Sequence, residues 1–577
     1  MSIRLSLRSL RCALVTMALA LGLLMLLSQS LPPVQAAHWP ITTGGTYVVN
    51  STDDTVDADV GDPGHICADA NGHCTLRAAI MQANFVTGLD TITLPSGVYT
   101  LTRPGDDDMA VVGDLDIADD LTIQGAGSGI TIINGNGAVT GDRVLQILAS
   151  AKSVTLSGLT IRNGKKVATF DEGGGLAWDG GGQFQLNDVI VEGNAAYDDG
   201  GLALNYSSFG AVVDMNHIIV RANTATAAVG GLGAALGSGM AHFALRNSQI
   251  YSNSAYEGGG LYFQGDINSP GIVALESDDV YSNTASLSAA IENRAGFGTY
   301  PLLILNSQLT ANHASIYGGG IGNHGHLVIS DTTLADNTAL ISGGGIYNYE
   351  GARMTLNQST LSGNAAQTGG GLFTDLFMHS LSFITVTNST LSGNLASHDG
   401  AGLYLVGGLA RFYNATIANN QVQVPTGDSY AGLGAGVYIS QSVIAEFQNT
   451  LIAGNTHRYQ SAPAVADDCK GIFDSNGYNL IQNATNCTLT GETLTLYIGY
   501  NPLLGPLAFN GGPTQTQAPS HGSVVIDTAQ VTMPGCTTTP FAPLTTDQRG
   551  FHRPIGPHCD IGAVEVGPYV YLPLLQR

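Results

Sequence analysis

The chain has 577 residues, of which 44% are hydrophobic, only 11% are charged and 76 are glycine, with a formal net charge of −24. That apolar fraction excludes a disordered chain, and the length, large for one globular core, suits a solenoid that grows by adding coils. The acidic balance, with no lysine between Lys166 and Lys470, excludes a nucleic-acid binder, which needs a basic face.

Residues 1–36 read as a secretory signal. Arg4, Arg8 and Arg11 open it, an apolar run from Ala13 to Leu27 follows, and Val34-Gln35-Ala36 is a small-residue cleavage site. The expectation is an exported chain, extracellular or at the cell surface, with the outer membrane open as a place and no transmembrane span after cleavage. Six cysteines remain after the signal. They lie in three local pairs, Cys67 with Cys74, Cys469 with Cys487, and Cys536 with Cys559. Six cysteines allow about fifteen pairings, and in an exported chain the local set is preferred.

Residues 37–115 form a cap. Thr46-Tyr47-Val48-Val49 reads as a first strand. Thr75 is a helix N-cap, and Leu76, Ile80 and Ala83 share one face of a short helix. Such a helix closes the open, edge-exposing end of a solenoid. This stretch, with Cys74-Thr75-Leu76-Arg77-Ala78-Ala79-Ile80, Ala83-Asn84 and Asp90-Thr91-Ile92-Thr93-Leu94, resembles the CSLREA domain of secreted bacterial repeat proteins. Thr75 and Ala78 depart from that pattern, and Ala78 removes an acid that would pair with Arg77.

Residues 116–460 carry a repeat. Asparagines at 163, 194, 223, 253, 283, 312, 337, 364, 394, 420 and 455 close a recurring phrase with a period of roughly 29 residues. Each follows an alternating run such as Leu356-Asn357-Gln358-Ser359-Thr360-Leu361 and precedes a glycine cluster and a second apolar run such as Gly345-Ile346-Tyr347. No helical periodicity intervenes, so the pattern predicts strands alone. The fold expected is all-β: a right-handed parallel β-helix of about twelve coils with a small helical N-terminal cap and a β-rich C-terminal cap. The recurring asparagines are expected to tolerate left-handed backbone and to stack as an amide ladder. The glycine phrases at Gly173, Gly258, Gly318, Gly343 and Gly369 look like repeats of the chlamydial polymorphic outer membrane proteins and, more broadly, of pectate-lyase-type β-helices.

Residues 461–567 form the second cap. Asn501-Pro502-Leu503-Leu504-Gly505-Pro506-Leu507, Asn510-Gly511-Gly512-Pro513-Thr514, Asp547-Gln548-Arg549-Gly550 and Cys559-Asp560-Ile561-Gly562-Ala563-Val564-Glu565 closely resemble the choice-of-anchor Q domain. That resemblance implies an exported or surface protein and names no ligand. The apolar tail at 568–577 is a final strand or an attachment tag.

No complete catalytic constellation stands in the sequence. Asp278-Asp279 and Asn323-His324-Gly325-His326 are partial, out-of-register echoes of a polygalacturonase site. His324, His326 and His313 are a candidate transition-metal set. Acids recur before the glycine turn at Asp171, Glu172, Asp198, Asp199, Glu257 and Asp399, at equivalent phase, where stacking would favour calcium or leave a solvated acidic edge. Aromatic residues after the turn, Trp178, Tyr262, Tyr347 and Tyr404 with Phe263, Phe373 and Tyr438, are candidates for glycan contact or, more commonly for such residues, for the core or cross-strand stacks. The most irregular coils lie at Ser286 to Tyr300, with Glu292 and Arg294, and at Gln421 to Tyr430, with Asp428. The function expected is a surface scaffold that binds an extracellular polysaccharide or cell-surface ligand without catalysis. The alternative is a calcium-dependent polysaccharide lyase or glycoside hydrolase.

Overall fold

A computed structural model describes residues 44–567, apart from 61–65, 206–209, 237–239, 266–271, 296–299, 376–381, 427–432, 530–535 and 539–541. The signal segment, the apolar tail and Asp428 therefore lie outside the described residues. The chain is a right-handed parallel β-solenoid of about twelve turns and 3% helix. Each coil contributes a strand after the glycine turn, one before the asparagine, one between them, and a short strand after the asparagine.

Alternation drives the assembly. Leu202, Leu232, Leu261, Ile291, Ile321, Ile346, Leu372, Leu403 and Val437 pair coil to coil in one inward column. Each is fully buried, and each such side chain stabilises the stack by about 2 kcal/mol. One coil has nothing to bury this column against, so stability is a property of neighbours.

The expected amide ladder is present. Asn194, Asn223, Asn253, Asn283, Asn312, Asn337, Asn364, Asn394, Asn420 and Asn455 each donate Nδ2–H to the side-chain oxygen of the next. Each side-chain oxygen also accepts the preceding asparagine's backbone N–H, as Asn283 does from Asn253 at 3.0 Å. The ladder corrects two expectations. Left-handed backbone falls on the residue before the asparagine, such as Ser252 at φ 56° and Ser282 at φ 55°. Asn163 is one of these turn residues at φ 57° and stands outside the ladder, because its neighbour Gly164 occupies that register and donates to Asn194.

A second buried polar column runs through Ser248, Asp278, Ser307, Thr332, Ser359 and Ser389, each backbone N–H reaching the next side-chain oxygen. Asp278 is thus a ladder member inside the wall, and only Asp279 of that pair faces outward on its strand.

A helix closes the N-terminal end. The helix Leu76–Phe85 is capped by Thr75, whose Oγ1 accepts Ala78 N–H at 3.1 Å, and Leu76, Ile80 and Ala83 join the solenoid core. Arg77 is buried and finds Asp54 at 2.6 Å together with the carbonyls of Ala110, Gly113 and Asp114. The described residues between 501 and 565 include a segment that packs on the flank of the solenoid through Thr514, Gln548 and Gly562. Gln548 donates to Ser359 O and Thr360 Oγ1 and accepts from Thr390 Oγ1. Gly562 N–H reaches Asn449 O, and a Cβ at 562 would meet Thr416 Oγ1 at 2.9 Å. The three local disulfides, Cys67–Cys74, Cys469–Cys487 and Cys536–Cys559, are formed.

Candidate functional site: a polar groove on the post-glycine sheet

On the strand after each glycine turn, side chains alternate between core and solvent. Two outward columns and the turn residues beside them frame a groove. Its floor is made of the smallest side chains, Gly233 and Ala235, where the outward positions lose their bulk. Its walls carry Glu172, Asp198, Asp199, Asn205, Tyr262 and Gln264, around a cavity of about 200 Å³. Gly233 is required there: a Cβ would fall 1.9 Å from Asp199 Oδ1, so only glycine lets that carboxylate lie across the floor.

The acids before the turn therefore separate. Glu172, Asp198 and Glu257 share one column, with Ala228 between the last two. Asp199 is one residue further on and reaches the same groove. Burial, then the charges of Glu172 and Asp198, hold the Asp199 carboxyl well above the usual carboxylate range. Asp171 is held in a local turn with Ala168. Asp399 is separated from Glu257 by Leu287, Tyr317, Ser342 and Thr368, and its Oδ1 accepts Leu433 N–H. The equivalent phase holds, but uncharged residues interrupt it. Among the described residues no three carboxylate, imidazole or thiolate groups converge on one metal-sized point.

Beyond Tyr262 and Gln264 the same two outward columns continue as Glu292 with Arg294, then Gly322 with His324. Glu292 is fully buried. Its Oε1 accepts from Arg294 Nε at 2.7 Å and lies 3.0 Å from His324 Nε2. Burial pushes the Glu292 carboxyl up, but His324 and Arg294 outweigh it and hold the group below its ordinary value. Arg294 Nη2 lies 2.9 Å from Glu257, and the guanidinium sits 5.8 Å from the Tyr262 ring centre. His324 stacks on Tyr349 with ring centres 3.5 Å apart. Gly322 is the notch in this wall: a Cβ would fall 1.9 Å from Ser288 Oγ and 2.6 Å from Glu292 Oε2.

Sequence reasoning singled out the coil of Glu292 and Arg294 but missed their partner. The sequence offers His324 with His326 and His313 as a candidate metal set, against a turn suggested by the neighbouring Gly and Asn. The structure disperses the three. His326 begins the next strand, half-buried, its imidazole pushed down to about 4 by desolvation and by Arg353. His313 is on the short strand after the asparagine, 2.7 Å from Thr338. The readable signal was spacing: Gln264, Arg294 and His324 each stand three residues after the Leu or Ile that begins the strand.

The aromatic residues divide as well. Trp178 points into the core and stacks on Phe184 at 5.4 Å. Tyr347, Phe373, Tyr404 and Tyr438 stack coil upon coil at 4.9, 5.3 and 4.5 Å, and Lys470 covers the far face of Tyr438 at 5.1 Å. Their faces are spent on one another, leaving only edges outward, so this column is a cross-strand stack.

No protein-family model matches the chain. No curated protein matches it either, so the likeness of its two ends to CSLREA and choice-of-anchor Q domains rests on their residues alone. Solved structures do resemble it in architecture. The A-module of mannuronan C-5 epimerase AlgE6 from Azotobacter vinelandii is 12% identical, over 73% of this chain and 94% of that one, with a TM-score of 0.35. Pectate lyase Pel9A is 11% identical, over 91% and 97%, with a TM-score of 0.27. The catalytic domain of a GH87 alpha-1,3-glucanase is 14% identical, over 79% and 70%, with a TM-score of 0.32.

Proposed function

We propose that the chain is an exported solenoid that binds a polysaccharide lying along this groove. One observation carries the reading: hydrogen-bonding side chains recur along the outward columns over seven coils, from Glu172 through Gln264 and Arg294 to Tyr349, beside a floor of Gly233 and Ala235. At a strand spacing of ~4.8 Å those coils span roughly 30 Å, a length suited to an extended polymer. Three disulfides fit an oxidising compartment outside the cytoplasm, and the two caps fit the secreted domains they resemble.

The groove also sets a charge preference. Glu172, Asp198 and Asp199 line the cavity with no basic side chain among its lining residues, and Glu257 and Glu292 share the guanidinium of Arg294. A glycan carrying amino groups suits that balance directly. A uronate polymer needs a calcium ion between the two sets of carboxylates, with ligand oxygens completing its six to eight contacts. The test is retention of polysaccharides by residues 37–577: de-N-acetylated and acetylated hexosamine polymers, neutral glucans, and uronans with calcium or chelator. Retention of the amino polymer without calcium is expected, reduced by Asp198→Asn with Asp199→Asn. Retention of none of these polymers overturns the proposal.

A second reading, turnover of the bound polymer, is favoured by the Glu292–His324 pair. A buried carboxylate that orients an imidazole is the arrangement general bases use. New reducing ends or unsaturated products that disappear in His324→Ala would establish it, and their absence with wild-type protein leaves the chain a binder.

A further inference from the structure

Inside the wall, directly beneath this stretch of groove, the core changes character. The inward column that holds Leu204, Ala234 and Phe263 becomes Asn293, Asn323 and Asn348, then passes through Thr374 back to Leu405 and Ile439. All three asparagines are fully buried. Asn293 Nδ2 donates to Asn323 Oδ1 at 2.8 Å, and Asn323 Nδ2 donates to Asn348 Oδ1 at 2.7 Å. Each of these asparagines is flanked in sequence by the outward residues of the site: Glu292-Asn293-Arg294, Gly322-Asn323-His324 and Tyr347-Asn348-Tyr349.

Stability does not call for amides here. Apolar side chains fill the same column on both sides, and a polar group earns no net advantage over a well-packed apolar one unless every bond is made. One is left unmade: Asn348 Nδ2 has no hydrogen-bond partner. What the amides do is hold backbone. Asn293 Oδ1 accepts Ala295 N–H at 3.1 Å, and Asn323 Oδ1 accepts Gly325 N–H at 3.2 Å. Each bond closes a loop around a single residue, Arg294 in the first case and His324 in the second. The ladder then ties those two loops to each other and to the strand of Tyr349, on which His324 stacks.

We infer that Asn293, Asn323 and Asn348 are positioning residues for Arg294 and His324, a short inner ladder that fixes where the guanidinium and imidazole present themselves to a groove ligand. The inference rests on the groove reading for its purpose, but its geometry is tested without any ligand. The measurement is the pH profile of His324 acylation by diethylpyrocarbonate, read by peptide mass spectrometry, beside the urea midpoint. Asn323→Leu orphans Asn293 Nδ2, Asn348 Oδ1 and Gly325 N–H, so it is expected to lower the midpoint and to displace the His324 profile by about half a pH unit or more. Asn283→Leu in the main ladder is expected to lower the midpoint as well but to leave the profile in place. Asn348→Leu, which removes the unpaired amide, carries the test should Asn323→Leu not fold, and is expected to displace the profile through Tyr349. Any polymer retained by wild type is expected to bind Asn323→Leu more weakly. An unchanged His324 profile in the folded variants overturns the inference whatever the polymer panel gives. A displaced profile with no polymer retained leaves the positioning intact and removes only the groove reading.

Discussion

Asn455 hands its side-chain N–H to Asp468 Oδ1 at 2.8 Å, and there the main ladder stops. A carboxylate is suited to that end because it accepts and has nothing left to donate. Asp468 Oδ1 also takes the backbone N–H of Asn455, and Oδ2 takes that of Asn483. Burial lifts this carboxyl to about 6 against the pull of those bonds.

A pH dependence follows. The unfolded chain ionises Asp468 near 3.8, whereas the fold keeps it protonated to about 6. Between those values the unfolded state binds fewer protons, so stability falls as pH rises. For Asp468 alone the loss is roughly 3 kcal/mol. Asp116 and Asp560, both raised by burial to about 7, act in the same direction. Urea midpoints are expected to be higher at pH 5 than at pH 8, and Asp468→Asn is expected to flatten part of that slope.

Removing one rung of the main ladder leaves its neighbours unsatisfied. Asn253→Ala strips partners from Asn223 N–H, Asn223 Nδ2 and the carbonyl of Val220. Each orphaned buried group costs about 1–3 kcal/mol. A loss of roughly 3 kcal/mol or more is expected in equilibrium unfolding, and a loss below about 1 kcal/mol would show that water replaces the rung.

Gly322→Ala is expected to disturb the groove wall far more than Gly→Ala at an open position. The new methyl meets Ser288 Oγ and Glu292 Oε2, so Glu292 must give way and release His324. The His324 acylation profile should move toward that of Glu292→Gln. An unmoved profile would mean that the wall relaxes around the methyl.

Gln548 bridges the flanking segment to two successive coils through Ser359 and Thr360 of one and Thr390 of the next. Gln548→Ala is expected to speed amide hydrogen exchange across 501–565 by about tenfold or more while the coils at 194–337 keep wild-type protection. Equal acceleration in both would mean that the segment and the coils unfold as one unit.

The architecture was legible because it repeats. A rule stated eleven times in one chain survives one exception, and Asn163 was that exception, displaced by a single residue that only strand register reveals. The cap helix was legible from Thr75 and the Leu76, Ile80, Ala83 face, since local pattern sets both. The site was not, because it depends on which residues of different coils share a side of the sheet. Glu292 and His324 are 32 positions apart in sequence, and neither breaks a local rule strongly enough to announce the other. The same dependence leaves Trp178 open, on sequence alone, between glycan contact and the core. It stands two residues after Leu176 and so shares its inward side.

Successive rungs of the main ladder are separated by as few as 25 residues and as many as 35, yet the bonds between them stay at 2.9 to 3.1 Å. One edge of the molecule therefore keeps time while the rest of each coil is free to lengthen or shorten. Insertions accumulate without slipping the beat, and a mutation that rewrites the groove does not disturb the clock. In such a chain, descent with modification acts on what is held and leaves alone how the holding surface is built.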